Sequence, residues 1–227
     1  MKNSFKELKK FELWLWITSA VVVCVSFALS PDKDPMTLCA SLIGVTALIF
    51  IAKGYVIGQA MCIGFSVLYG IISFRYRYYG EMITYLCMST PIAVAAVISW
   101  IRHPYKDTPE VTVSRVTKKQ MTFALVLTCA VTLAFYFILR ALGTANLIIS
   151  TVSVATSFLA AYLTFLRSPY YGLAYGANDI VLIVLWILAA IEDISYLPMI
   201  FCFVMFLAND IYGFLNWRQM RKRQEIL

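Results

Sequence analysis

Charge is what this chain has least of. Asp, Glu, Lys and Arg supply 14% of its 227 residues against 61% for hydrophobic ones, and the surface of a water-soluble domain needs far more charge than that. A soluble globular domain is excluded. Histidine is scarcer still: the single one, His103, stands beside Pro104 in a polar stretch, where it is expected to be solvated. The six cysteines (Cys24, Cys39, Cys62, Cys87, Cys129, Cys202) fall singly inside apolar runs, with no Cys-x-x-Cys spacing. Neither a zinc site nor a disulfide framework is indicated, and the cysteines are read as apolar filler. His-Glu-x-x-His, Gly-x-Ser-x-Gly and Gly-x-x-x-x-Gly-Lys do not occur, so the common hydrolase, zinc-protease and nucleotide-binding signatures are missing. The chain reads as a non-enzyme that needs no cofactor and no metal.

What it has in quantity is long apolar runs. Stretches of roughly 17–22 residues, each enough for one helical crossing at about 1.5 Å per residue, occur at about 12–29, 37–52, 54–74, 82–101, 121–139, 147–166, 171–190 and 195–217. The first follows Lys2, Lys6, Lys9 and Lys10 as a signal peptide would. No small-residue cleavage site comes after Leu29, so it is read as a retained span. With eight crossings, only Lys33, Arg75, Arg77 and Arg140 fall on one side of the membrane, and the other side holds the remaining fifteen of 19 basic residues. This positive-inside bias puts both termini in the cytoplasm. It also accounts for the net charge of +7 without a nucleic-acid partner. Tyrosines and tryptophans near the run ends (Trp14, Trp16, Tyr78, Tyr79, Trp100, Tyr170, Tyr171, Tyr196 and Trp217) suit the two water–lipid interfaces.

The links between runs are short except for 102–120, which divides the chain into halves that echo each other. Run three opens with Gly54-x-x-x-Gly58 and run seven with Gly172-x-x-x-Gly176; Tyr69 and Trp186 follow in near register, then Trp100 and Trp217. Runs two to four and six to eight therefore read as parallel triplets related by an axis along the membrane normal. The predicted organisation is a cytoplasmic N-terminus and first transmembrane helix over 1–36 and a first three-helix bundle over 37–101. A cytoplasmic loop and linker helix over 102–146, a second three-helix bundle over 147–217 and a basic tail over 218–227 complete it. The fold class is all-α and polytopic, with about eight transmembrane helices.

Against this apolar background the tetrapeptide Ala-Asn-Asp-Ile occurs twice, at 177–180 and 208–211. An ionisable group at the centre of a membrane helix costs about 2.5–3.5 kcal/mol on insertion scales, so both pairs are expected to face protein or water. Their runs cross in opposite directions, which puts Asn178, Asp179, Asn209 and Asp210 at one depth towards the cytoplasm. Trp186, nearly two turns beyond Asp179, shares its face. The first half supplies Gln59, Ser66, Tyr69, Ser73, Thr84 and Tyr85, of which Ser66, Tyr69 and Ser73 form one helical stripe. Glu81 falls at the predicted outer boundary, where solvation is expected. Thr90-Pro91 puts a proline inside run four and predicts a kink. Amides and carboxylates beside an aromatic plate suit a flat, polar, partly aromatic solute. Two alternatives stay open on the residues alone: a scaffold or sensor in which the same groups only bond helices together, and a proton-coupled transporter using the buried carboxylates as a relay.

Gly64-Phe-Ser-Val-Leu-Tyr-Gly-Ile-Ile-Ser73, Tyr-Tyr-Gly-Glu-Met-Ile-Thr-Tyr at 78–85, Ala177-Asn-Asp-Ile-Val-Leu-Ile-Val-Leu-Trp186 and Ala208-Asn-Asp-Ile-Tyr-Gly-Phe-Leu-Asn-Trp217 resemble the PnuC family of bacterial nicotinamide riboside transporters over about residues 38–220. Where members often carry an asparagine before the Leu-Tyr pair, this chain has Ser66. The resemblance implies a SWEET-like fold of two parallel three-helix bundles joined by a linker helix, in the inner membrane, assembled as a homo-oligomer such as a trimer. It implies facilitated diffusion of nicotinamide riboside, which is trapped by phosphorylation and directed to NAD synthesis; thiamine and riboflavin are the cargoes of related branches. Trp186, with Tyr69 or Tyr85, would then stack on the pyridinium ring. Asn178, Gln59 and Asn209 would bond the ribose or carboxamide, and Asp179 or Asp210 would favour the positive charge.

Overall fold

Each apolar run is a helix in the computed structural model, which describes residues 7–31, 33–75, 79–144 and 146–226. Lys2, Lys6, Arg77 and Tyr78 lie outside the described residues. The helices are α1 (Lys10–Leu29), α2 (Pro35–Ala52), α3 (Val56–Arg75), α4 (Tyr79–Ile101), α5 (Lys118–Ala141), α6 (Leu147–Phe165), α7 (Tyr171–Glu192) and α8 (Leu197–Ile226). All eight are long and apolar enough to cross a membrane. Local chemistry sets their ends. Asp34 caps α2 by accepting the Met36 and Thr37 N–H groups ahead of Pro35 at the first helical position. Thr117 and Gln120 form a capping box at the start of α5. The left-handed residues Gly54 (φ 72°) and Arg167 (φ 57°) follow the ends of α2 and α6, a conformation that comes easily to glycine and is unusual for arginine.

Packing order defines the site. Going round the bundle, α2 packs on α3, α3 on α4, α4 on α6, α6 on α7, α7 on α8, and α8 returns to α2. Six helices thus close a ring made of two consecutive triplets. Because one helix, α5, crosses between them, the triplets run in parallel. α5 lies outside the ring against α6, and α1 lies outside it against α8 and α2. Large apolar side chains such as Phe123, Ile148 and Ile191 are exposed on the outer surface, where lipid takes the place of water.

A polar network attaches α1. Lys53 Nζ donates to Glu12 Oε2 at 3.0 Å and to the Glu7 carbonyl at 3.0 Å, and the Tyr212 hydroxyl donates to Glu12 Oε1 at 2.6 Å. Glu12 is 1% exposed. The Tyr55 hydroxyl donates to Glu7 Oε2 at 2.8 Å; burial, reinforced by that carboxylate, raises the hydroxyl above its ordinary titration range, so it stays a donor. This network marks the end of the bundle at which α1 begins and α8 ends, called here the terminal end. The 102–117 connection closes over it: the Val111 N–H donates to the Gly54 carbonyl at 2.9 Å, and Gln224 of α8 accepts from the Val113 N–H at 2.8 Å.

The proline in α4 acts by widening the helix as well as interrupting it. Pro91 has no N–H and its ring crowds the carbonyl four residues back. The preceding turn, Thr84–Ser89, is π-helical, and both the N–H and the hydroxyl of Thr90 turn to the Tyr85 carbonyl.

Three of the aromatic residues expected at a lipid interface are instead inside the protein. Trp100 and Trp217 are 0% exposed and Tyr171 is 1% exposed, because each ring is needed where the two triplets meet. Trp14 and Tyr170 are exposed. His103 is exposed, its Nδ1 2.8 Å from the Ser99 carbonyl oxygen.

Candidate functional site

The ring surrounds a cavity to which all six of its helices contribute. Its floor comes from Asn178 and Asp179 on α7, Asp210 on α8 and Gln59 on α3, each less than 5% exposed. Ser66 and Tyr85 line it from α3 and α4, with Tyr171 and Tyr175 of α7 and Phe203 and Phe206 of α8 among the aromatic neighbours. The two aspartates converge for a geometric reason. Side chains lean towards the N-terminus of their own helix, and α7 and α8 are antiparallel, so Asp179 and Asp210 lean towards each other. Their carboxyl groups face the same cavity and interact electrostatically. Close approach of the helices permits this: a Cβ on Gly172 would stand 2.6 Å from the Asp210 carbonyl oxygen and 2.8 Å from the Phe214 nitrogen, so only glycine fits.

Asn178 is oriented from behind. Its Oδ1 accepts from Thr156 Oγ1 at 2.9 Å and from Ser153 Oγ at 3.5 Å, both on α6, which leaves the amide NH2 for a solute. Asp179 Oδ2 has no hydrogen-bond partner among the described residues. Two interacting carboxyl groups away from water are compensated only by a proton or by a cationic solute. Among the described residues that line the cavity there is no Lys, Arg or His.

Six of the nine residues singled out in the sequence therefore share one cavity: Gln59, Ser66, Tyr85, Asn178, Asp179 and Asp210. The other three lie elsewhere. Asn209 points out of the ring to α1, its Nδ2 donating to Ser19 Oγ at 3.0 Å and to the Met205 carbonyl at 2.7 Å. Tyr69 and Trp186 belong to an aromatic layer beyond the cavity, towards the far end. There the Tyr69 and Tyr85 rings are 4.3 Å apart, Trp186 and Tyr196 5.6 Å apart, and Phe65 packs on both tyrosines. Trp186 and Tyr69 together wall a smaller cavity on the far side of that layer. Sequence reading missed Tyr175, Phe203 and Phe206, whose apolar neighbours hide them, and the buried Glu12. A charge inside the first apolar run, with Lys53 between runs two and three, was the available signal for Glu12.

A ring of six helices, each long and apolar enough to cross a membrane, around one polar-floored cavity is the arrangement of a transporter for small solutes. The chain belongs to the nicotinamide mononucleotide transporter family, whose sequence profile matches residues 34–219. It is 26% identical over 216 residues to the nicotinamide riboside transporter PnuC of Neisseria mucosa, covering 93% of this chain and 81% of that one. It is 23% identical over 218 residues to the nicotinamide riboside transporter PnuC of Haemophilus influenzae, covering 95% and 92%. The crystal structure of the vitamin B3 transporter PnuC matches with a TM-score of 0.83 at 25% identity, over 96% of this chain and 94% of that one.

Proposed function

We propose that the chain moves nicotinamide riboside across the bacterial inner membrane by facilitated diffusion, supplying NAD synthesis. The observation that carries this reading is the charge of the central cavity: two carboxyl groups, two amides and several aromatic rings, with no basic side chain among the described lining residues. The family description names the mononucleotide and the relatives' names give the riboside. The riboside is a cation, and its pyridinium ring is matched by Asp179 and Asp210. The mononucleotide adds a phosphate, which would meet those carboxyl groups with no Lys or Arg to neutralise it. Asn178 NH2 and Gln59 serve the ribose hydroxyls or the carboxamide, and Tyr85 offers its ring face to the pyridinium. Tyr69 and Trp186 take part as the layer the solute passes on the far side, and Asn209 by holding α8 against α1.

The direction of the basic residues supports cytoplasmic termini, so the terminal end faces the cytoplasm, where phosphorylation of the riboside would trap it. The family resemblance extends the proposal to a homo-oligomer, with a trimer as the state to test by native mass spectrometry. Proteoliposomes decide the main point: labelled nicotinamide riboside should enter saturably and equilibrate, whereas flux no greater than that of empty vesicles would end the proposal.

The Asp179–Asp210 pair also supports a second reading, exchange of a proton against the cationic solute. An imposed pH gradient separates the two. Accumulation above the equilibrium level indicates coupling; simple equalisation indicates facilitation.

A further inference from the structure

The far side of the bundle holds another cavity, between the start of α4, the α5–α6 connection and the last turns of α7. It shares no lining residue with the central one. Glu81 forms part of its wall and differs from its expected solvated state: it is 7% exposed, and its Oε2 has no hydrogen-bond partner among the described residues. Thr144 Oγ1, on the same wall, also has none among them. Buried polar oxygens without partners are rare because each loses its hydration for nothing in return, so two in one cavity point to a ligand. The wall is also firm. A Cβ on Gly80 would lie 2.7 Å from both Thr144 Oγ1 and Leu139 Cδ2, so α4 is pressed against the α5–α6 connection beside Glu81.

The chemistry of the wall selects the ligand. A carboxyl group and a hydroxyl accept hydrogen bonds and attract positive charge, and Trp186 contributes an indole, the best π-face for a cation. Glu192 adds a second acid, and no basic residue lines the cavity among the described residues. Trp186 also walls the neighbouring cavity that includes Tyr69, so a ring held against the indole is next to the Tyr69–Tyr85 layer that leads to the central site.

We propose that this far-side cavity is a second binding site, for small aromatic cations of the pyridinium type, in series with the central cavity. It rests on the preceding reading only in taking the cargo to carry a positively charged aromatic ring.

The probe is 1-methylnicotinamide, a pyridinium cation with no ribose and no phosphate, titrated by calorimetry against the full-length chain in detergent. The parent should bind it saturably. Glu81→Gln, which keeps the shape and removes the charge, should weaken binding about tenfold. Thr144→Val should weaken it too and gives a second reading if the first variant misfolds, while Phe123→Leu on the outer surface should bind like the parent. No binding by the parent, or parental affinity in both wall variants, would overturn the proposal. Riboside flux into liposomes is measured alongside. Absent flux with Glu81-dependent binding defeats the transport reading and leaves this site standing; normal flux with Glu81-independent binding defeats this site alone.

Discussion

Trp100 and Trp217 are each bonded to the other's triplet. Their ring centroids lie 5.3 Å apart, and both indole N–H groups cross the boundary between the triplets: Trp100 donates to the Thr164 carbonyl at 3.0 Å and Trp217 to the Ile51 carbonyl at 2.8 Å. The acceptors are equivalent, since Ile51 precedes the left-handed Gly54 at the end of α2 just as Thr164 precedes the left-handed Arg167 at the end of α6. Tyr171 meets Trp217 edge-on at 5.0 Å. Because Ile51, Thr164 and Tyr171 line the central cavity, this reciprocal pair stands at its terminal end.

Trp217→Phe keeps a ring in place and removes the donor, leaving a buried carbonyl without its partner. The expected loss is about 1–2 kcal/mol, seen as a lower thermal midpoint. The same change should loosen the closure. Cys62 lines the cavity, so in a chain keeping it as its one thiol, a membrane-impermeant maleimide should modify it faster from the terminal side. Lower stability with unchanged labelling would mean that the contact holds the fold and has no part in gating.

The Glu12–Lys53 pair makes a second prediction, about α1. With Glu12 side chain 1% exposed and Lys53 10% exposed, Lys53→Met leaves a buried carboxylate without its cation, a change of about 3–5 kcal/mol for pairs of this kind. Glu12→Gln combined with Lys53→Met should recover much of that, because no unpaired charge remains. Thermal unfolding of the two single variants and the double variant forms a complete cycle. Additive losses would show that the two groups do not act as a pair.

Charge selection in the central cavity can be tested by changing the solute and the protein together. Asp179→Asn and Asp210→Asn should each weaken binding of nicotinamide riboside about tenfold, the size of one lost charge-assisted contact. They should barely affect the dihydro form of the riboside, which has the same shape and an uncharged ring. Equal losses for both solutes would assign the aspartates to helix packing.

The two copies of Ala-Asn-Asp-Ile show how far sequence carried the reading and where it stopped. Run length and charge located the helix starts to within about three residues, because lipid forces backbone hydrogen bonds to be satisfied within each helix; the ends were as close except for α8, which continues through the predicted basic tail to Ile226. That the two aspartates would share one level of the bundle was legible as well. Facing was not. Adjacent residues on a helix point about 100° apart, so each pair must split, and the split depends on what flanks the helix. On α7 the flank is α6, whose Thr156 turns Asn178 along the cavity wall; on α8 it is α1, whose Ser19 draws Asn209 out of the ring. Identical tetrapeptides diverge through neighbours distant in sequence. Glu81 was misplaced for a related reason: its burial depends on the α5–α6 connection, which no pattern around residue 81 announces.

Pro91 supports the last prediction. The π-helical turn Thr84–Ser89 sets the rotation of its own residues, including Tyr85 on the cavity wall, and of the helix before it. Such turns are less stable than α-helix and persist where function uses them. Pro91→Ala restores an N–H and relieves the crowding at the carbonyl four residues back, so α4 should relax towards regular α-helix and carry the Tyr85 ring away from its place beside Tyr69. Stability should rise by about 1–3 kcal/mol, within the range over which interior prolines disfavour helix, while riboside uptake falls. That opposition is what separates a built-in irregularity from a flaw. Paired measurements of thermal midpoint and initial uptake rate test it: a Pro91→Ala chain that is more stable and transports at the parent rate would show that the widened turn serves packing alone.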